Sequence, residues 1–138
     1  MAFVLDASIS AVWALADESD PLAARILDDW IASPESPEAA FVPGLWWYEV
    51  RNLLVINERR KRIVAADSAS FLRVMGTFPI EIDEEPNEDA IFGFARRYQL
   101  SFYDAAYLEI AHRKGLALAT LDRALRTAAA AAGVALLV

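Results

Sequence analysis

Residues 101–122 read SFYDAAYLEIAHRKGLALATLD, and this stretch decides the fold class. Ser101 opens a helix that runs to Lys114-Gly115, where a cationic last turn meets a glycine stop. Leu116 to Ala119 then forms a short apolar run, the pattern of a strand buried on both faces. Thr120 and Asp122 lie just beyond that strand. A helix followed at once by a fully apolar strand predicts a parallel sheet covered by helices on both sides.

The same alternation recurs outward from this unit. Phe3-Val4-Leu5 is an apolar strand ended by Asp6, and the helix after it spans roughly residues 9–17, capped by Ser8 or Ser10. Asp20-Pro21 caps and starts a second helix that continues from Ala23 to Ile31. The segment from Ser33 to Glu38 holds two prolines and no apolar residue, which marks a surface loop. Ala40 to Val42 is a second strand, and Pro43-Gly44 leads into a long helix ending in Arg59-Arg60-Lys61-Arg62. Residues 65–77, 87–98 and 122–132 read as helices, Ile80-Glu81-Ile82 as a short strand, and Val134 to Val138 as a closing strand. With no repeat or linker, the expectation is one α/β domain over residues 1–138, with a central, mostly parallel sheet flanked by helices on both faces.

Composition narrows the chemistry. The chain has 138 residues, no cysteine and one histidine, His112, which excludes disulfide scaffolds, thiolate metal sites and multi-histidine zinc sites. Of the 57% hydrophobic residues many are alanine, and no run is long enough to span a bilayer. The N-terminus lacks a basic region and Asp6 interrupts its apolar run, so no secretory signal is expected, and a soluble cytoplasmic domain is. A net charge of −7 argues against holding nucleic acid by broad electrostatic attraction, yet leaves room for an acidic site neutralised by a divalent metal. The basic side chains are nearly all arginine, so phosphate contacts would fall to forked guanidinium groups.

In open parallel sheets, sites form beyond the carboxyl ends of the strands. Asp6 and Asp122 follow strands there, and Asp104 lies in the first turn of the helix that Ser101 opens. Taken singly, each has an ordinary role as a helix cap or a favourable charge at a helix N-terminus. Asp104 shares its helix face with Leu108 and Ala111, whereas Glu109, His112 and Arg113 belong to the polar side. Glu49 is more telling. Projection at 100° per residue surrounds it with Leu45, Asn52, Leu53 and Ile56, and puts Arg51 and Glu58 on the opposite, solvent side. A carboxylate in an apolar stripe is costly unless paired or bound, and Asn52 stands close enough to share a hydrogen bond. Acids converging on one pocket repel one another unless a cation lies between them, and an all-oxygen set suits Mg²⁺ or Mn²⁺. Such a metal activates water and stabilises charge on a phosphoryl group.

At these residues the sequence resembles the PIN-domain family, specifically its VapC-type toxins. The matching segments are Val4-Leu5-Asp6-Ala7-Ser8, Tyr48-Glu49-Val50-Arg51-Asn52, Ser101-Phe102-Tyr103-Asp104-Ala105-Ala106-Tyr107-Leu108 and Thr120-Leu121-Asp122. The resemblance implies a Mg²⁺- or Mn²⁺-dependent endoribonuclease with Asp6, Glu49, Asp104 and Asp122 as its acidic site. Ser8, Asn52, Ser101 and Thr120 would support those acids. It implies that Asp6 and Asp104 bind metal directly, while Glu49 and Asp122 bind a second metal or orient the attacking water. The same resemblance implies an RNA substrate (transfer RNA or another structured RNA), a homodimer, and a small antitoxin partner.

Two other readings accompany this one. A phosphoacceptor receiver domain would need a paired acid at the first strand and a lysine near the last, and the sequence offers neither. A non-catalytic dimeric binding module would use the same fold with the acids only capping helices. Trp13, Trp30, Trp46 and Trp47 serve either as partner contacts or as packing, and the runs Arg59 to Arg62 and Arg96-Arg97 either grip phosphates or finish helices.

Overall fold

A computed structural model describes all residues, Met1–Val138. In chain order the elements are β1 (Phe3–Leu5), α1 (Ala7–Ala14), α2 (Pro21–Ala32), β2 (Ala40–Pro43), α3 (Gly44–Arg59), α4 (Ala65–Met75), β3 (Ile80–Asp83), α5 (Glu88–Tyr98), α6 (Phe102–Lys114), β4 (Ala117–Ala119) and α7 (Arg123–Ala131). The strands form one sheet of order β3-β2-β1-β4, parallel throughout. Phe3, Val4, Leu5, Leu118 and Ala119 are all buried, as expected of strands with helices over both faces.

Helix α6 packs across β1, β2 and β4, with α5 and α7 beside it. Its residues from Ala105 to Ala111 are all buried, Glu109 included. The helices α1, α2 and α3 pack as a second group in which the tryptophans do most of the filling. Trp30 stacks between Phe3 and Phe78, and its indole N–H donates to the Glu38 carbonyl at 2.7 Å. Trp46 donates to Ser10 at 3.0 Å and Trp13 to the Ala23 carbonyl at 2.8 Å. Trp30 and Trp46 are buried and Trp13 is half-buried, and the one polar atom of each ring finds a partner. Trp47 stays 44% exposed.

The structure departs from the sequence reading at four places. Residues 134–138 form no strand: they make a single bridge, Leu118 to Leu136, closed by hydrogen bonds from Leu118 N–H to Ala135 and from Leu137 N–H to Leu118. Helix α1 starts and ends earlier than residues 9–17, with Asp6 at its N-cap position, so neither Ser8 nor Ser10 caps it. Helix α3 stops at Arg59, and Lys61 turns the chain with φ of 59°. Arg62 belongs to a cross-link rather than a solvated helix end, since its guanidinium donates to Asp17, Glu18 and Asn57.

The fourth departure is Glu109, which is 1% exposed rather than on a polar face. It accepts from the Asn87 N–H at 3.0 Å and from Arg113 Nε at 2.8 Å, and Arg113 also donates to Asp83 at 2.6 Å. These carboxylates hold the Arg113 guanidinium well above its ordinary pKa. The network pins the C-terminal half of α6 to the end of β3. Arg113→Ala strands two buried carboxylates, and breaking such a pair costs about 3–5 kcal/mol when fully buried. Because the Arg113 side chain is 30% exposed, we expect a smaller loss of about 2 kcal/mol. Glu109→Gln is expected to cost less, because Asp83 retains the arginine. Urea midpoints of the two variants test this order.

Candidate active site

With strand order β3-β2-β1-β4, the chain leaves β1 toward one neighbour and returns on its other side, so the order in which strands are added reverses between β1 and β4. A crevice opens beyond the carboxyl ends of two such strands. Leu5 pairs with Ala119, and the next residues out are Asp6 and Thr120. The Asp6 N–H donates to the Ala119 carbonyl at 3.0 Å, which places the Asp6 side chain at the head of the crevice.

Two hydroxyls fix that side chain. Ser8 Oγ donates to Asp6 Oδ2 at 2.6 Å, and Thr120 Oγ1 donates to the same oxygen at 2.7 Å. Each hydroxyl also accepts a backbone N–H, Ser8 from Leu121 at 2.9 Å and Thr120 from Asp122 at 3.1 Å. The single proton of each hydroxyl is thereby committed to Asp6. Oδ1 is left without a side-chain donor. Asp6 is 5% exposed, and its burial raises the carboxyl pKa despite the hydroxyls and neighbouring backbone N–H groups that oppose the shift.

Glu49 comes from the first half of α3. The helix buries Trp46, Val50, Leu54 and Asn57, so Glu49 lies at the edge of the buried stripe rather than in its middle. Its partner is Tyr107 of α6, whose hydroxyl donates to Glu49 Oε1 at 2.8 Å. Burial raises the Glu49 pKa first; Tyr107 opposes the shift, and the charges of Asp6 and Asp104 add to it. Asn52 is exposed and makes no hydrogen bond to Glu49, which corrects the pairing expected from their spacing. Tyr107 itself is fully buried, and burial together with the Glu49 and Asp6 charges keeps its hydroxyl protonated.

Asp104 sits in the first turn of α6, its backbone N–H capped by Ser101 Oγ at 3.0 Å. Ser101 thus supports Asp104 through the helix start, and its hydroxyl also opposes the rise of the Asp104 pKa. Burial raises the Asp104 pKa, with Asp122 and Asp6 adding repulsion. Asp122 is a true N-cap of α7: its Oδ1 accepts from the Leu125 N–H at 2.8 Å. The structure therefore gathers Asp6, Glu49 and Asp104 into mutual electrostatic reach, with Asp122 beside Asp104 and with Ser8 and Thr120 in support. The residue that sequence reasoning missed is Tyr107. Its signal was its place three residues after Asp104, the helical spacing that puts two side chains on one face.

The donors present are carboxylate oxygens, which suit a hard divalent cation. Three of them are held above their ordinary pKa, Asp6 by burial and Glu49 and Asp104 by burial together with neighbouring carboxylates, the state that an added cation relieves. No three of the chain's acids and histidine stand close enough to make a ready ligand set. Mg²⁺ does not need one, because it is usually held by one or two carboxylates and keeps several waters. In metal-free protein the repulsion is pure cost. Asp104→Asn should therefore raise the melting temperature by a few degrees near neutral pH in EDTA. A raised native pKa means that the folded state binds the proton more tightly, so this strain grows as pH rises and fades on acidification. The gain should accordingly vanish as pH falls to the ordinary carboxylate range, which thermal melts across pH will show.

The comparisons with known proteins bear on the family and the fold. The PIN-domain family profile matches residues 3–131. Exonuclease VapC9 of Pyrobaculum aerophilum is 34% identical over 99 residues, 71% of each chain. The crystal structure of PAE2754 from Pyrobaculum aerophilum superposes with a TM-score of 0.69 at 32% identity, covering 93% of this chain and 84% of that one. Mycobacterium tuberculosis VapC20, a sarcin-ricin loop cleaving toxin, shares the fold with a TM-score of 0.58 at 15% identity, over 91% of this chain and 94% of its own. No helix is long and apolar enough to cross a membrane. A reversal point headed by a buried aspartate, three further acids around it and a sequence profile spanning nearly the whole chain lead to one assignment: the chain belongs to the PIN-domain family and is of the VapC type.

Proposed function

We propose that this protein is a toxin nuclease that hydrolyses RNA phosphodiester bonds internally, dependent on Mg²⁺ or Mn²⁺, and that it acts as a homodimer restrained by a small antitoxin protein. The observation that carries the reading is the convergence of Asp6, Glu49 and Asp104 from three separate elements: the charge of Asp6 reaches both Glu49 and Asp104, and that of Asp104 reaches Glu49. Structural capping explains Asp122, but it explains neither the burial of Asp6 nor the placement of Glu49 against it.

Asp6 and Asp104 would hold the metal, which when bound supplies positive charge at the phosphoryl group and acidifies a water. The chain's own groups do the rest. Ser8 and Thr120 keep Asp6 in one rotamer, so no reorganisation is needed as substrate arrives. Tyr107 occupies Glu49 Oε1 and leaves Oε2 free to accept a proton from the attacking water. A glutamate whose pKa lies above its ordinary value is a better proton acceptor near neutrality than an exposed one. Asp122, with Oδ1 engaged at the start of α7, has Oδ2 available to orient that water or to serve a second metal.

The partial exposure of Glu49, Asp104 and Asp122 favours an internal cut, because a chain can lie across them without entering by its end. The relative VapC9 is an exonuclease by name and VapC20 cleaves within a loop, so product analysis carries weight. We expect a mixed structured-RNA pool that includes transfer RNA to be cut at discrete internal positions with added Mg²⁺ or Mn²⁺, and to survive in EDTA. Glu49→Gln should lower kcat about 10²- to 10⁴-fold, the usual contribution of a general base, while circular dichroism shows the fold intact. Asp6→Asn should abolish cleavage and weaken metal binding by calorimetry, whose stoichiometry also counts the ions. Cleavage at the wild-type rate by Asp6→Asn would overturn the proposal.

A further inference from the structure

The protein carries a net charge of −7, and its site adds a cluster of carboxylates at the surface a polyanion must approach. Phosphate contacts alone therefore give this protein little hold on RNA. Two large aromatic side chains stand where another source of affinity is needed. Tyr48 immediately precedes Glu49 on α3 and is 71% exposed; Tyr103 immediately precedes Asp104 on α6 and is 65% exposed. The Tyr107–Glu49 hydrogen bond ties these two helices together at 2.8 Å, so the tyrosines flank one joint rather than two unrelated surfaces. Tyr103 is one turn ahead of Tyr107, on the same side of α6.

We propose that Tyr48 and Tyr103 are stacking platforms for unpaired RNA bases on either side of the cleaved bond, and that they restrict the enzyme to single-stranded segments. The inference rests on the nuclease reading and names what that site selects. The Tyr48 platform is already built. Arg51 lies 4.0 Å above the Trp47 ring and donates to the Trp47 carbonyl, and Trp47 meets Tyr48 edge-on with ring centroids 5.1 Å apart. A base laid on the exposed face of Tyr48 stacks on a ring that Trp47 braces edge-on, while Arg51 holds Trp47 from its other side. Paired bases have both faces covered within their helix, so only a loop, bulge or end presents a free face to a tyrosine. A second protein copy is a poorer occupant: covering both tyrosines would bury Glu49 and Asp104 against another chain without a counter-charge.

The test uses the full-length protein and a short unstructured RNA of defined sequence, alongside versions lacking the base on one or the other side of the cut. Tyr48→Ala and Tyr103→Ala should each raise KM by about 5- to 100-fold with kcat little changed, and Tyr→Phe at either position should restore it because the ring is kept. Removing the matching base should have the same effect on the wild type and none on the alanine variant. If the wild type cleaves no RNA, the nuclease reading fails on its own; stacking is then read from quenching of tryptophan fluorescence by the same oligonucleotide at low salt, with Trp47→Phe isolating the Trp47 share from the other three tryptophans. Unchanged KM and unchanged quenching in both alanine variants would overturn the stacking proposal. So would equal loss for base-bearing and base-lacking RNA, or a changed oligomeric state, which would assign the tyrosines to contact between copies.

Discussion

Everything at the site depends on burying one carboxylate between the ends of two parallel strands. Asp6 is placed there by the ladder, because the residue after Leu5 must emerge beside the residue after Ala119. Burial alone would make that position hostile to a charge. Ser8 and Thr120 offset the cost with two donated hydrogen bonds to one oxygen, and Leu121 and Asp122 orient those hydroxyls from behind. Short loops on both sides of the crevice are thus held by the same aspartate that they hold. The polar lattice is structural and chemical at once, since both hydroxyls are spent on Oδ2 and Oδ1 keeps no side-chain donor.

Helix α6 is the second member on which the arrangement rests. Its first turn carries Asp104, its second carries Tyr107 against Glu49, and its last turns carry Glu109 and Arg113 against Asp83. One helix therefore joins the crevice to the far edge of the sheet. Its hydrogen-bonding side chains are spaced at helical intervals, which lets a mostly apolar, buried helix carry polar contacts at both ends without an unsatisfied group.

Much of this was legible in the sequence. Fully apolar runs such as Phe3–Leu5 and Leu116–Ala119 announce buried parallel strands, and the acids that follow them fall at the crevice by topology alone. Other features were hidden for identifiable reasons. Val134 to Val138 has the composition of a strand, yet only Leu136 meets β4, in one bridge, and apolar composition alone does not encode that. Ser8 and Ser10 look like caps, yet one is claimed by Asp6 and the other by Trp46, contacts that no local pattern encodes. Helical projection put Asn52 near Glu49 because it knows only one helix; the partner came from another, where Tyr107 reads as one more core aromatic. Glu109 was misplaced for the opposite reason. Its spacing of four from Arg113 is a recognised pair, and burial followed once Asp83 shared the arginine.

The bridge from Leu136 to Leu118 has a consequence for self-association. A four-stranded open sheet has two raw margins, and each is a template on which a strand from another molecule can add. At β3 that margin is short and carries the exposed Glu81, whose charge discourages addition. At β4 the strand is apolar and offers no such charge. The segment around Leu136 occupies its free backbone groups instead, as a shield rather than as a working member of the sheet. Two hydrogen bonds on the outer side of β4 thereby guard against aggregation the strand whose end carries Thr120 into the crevice.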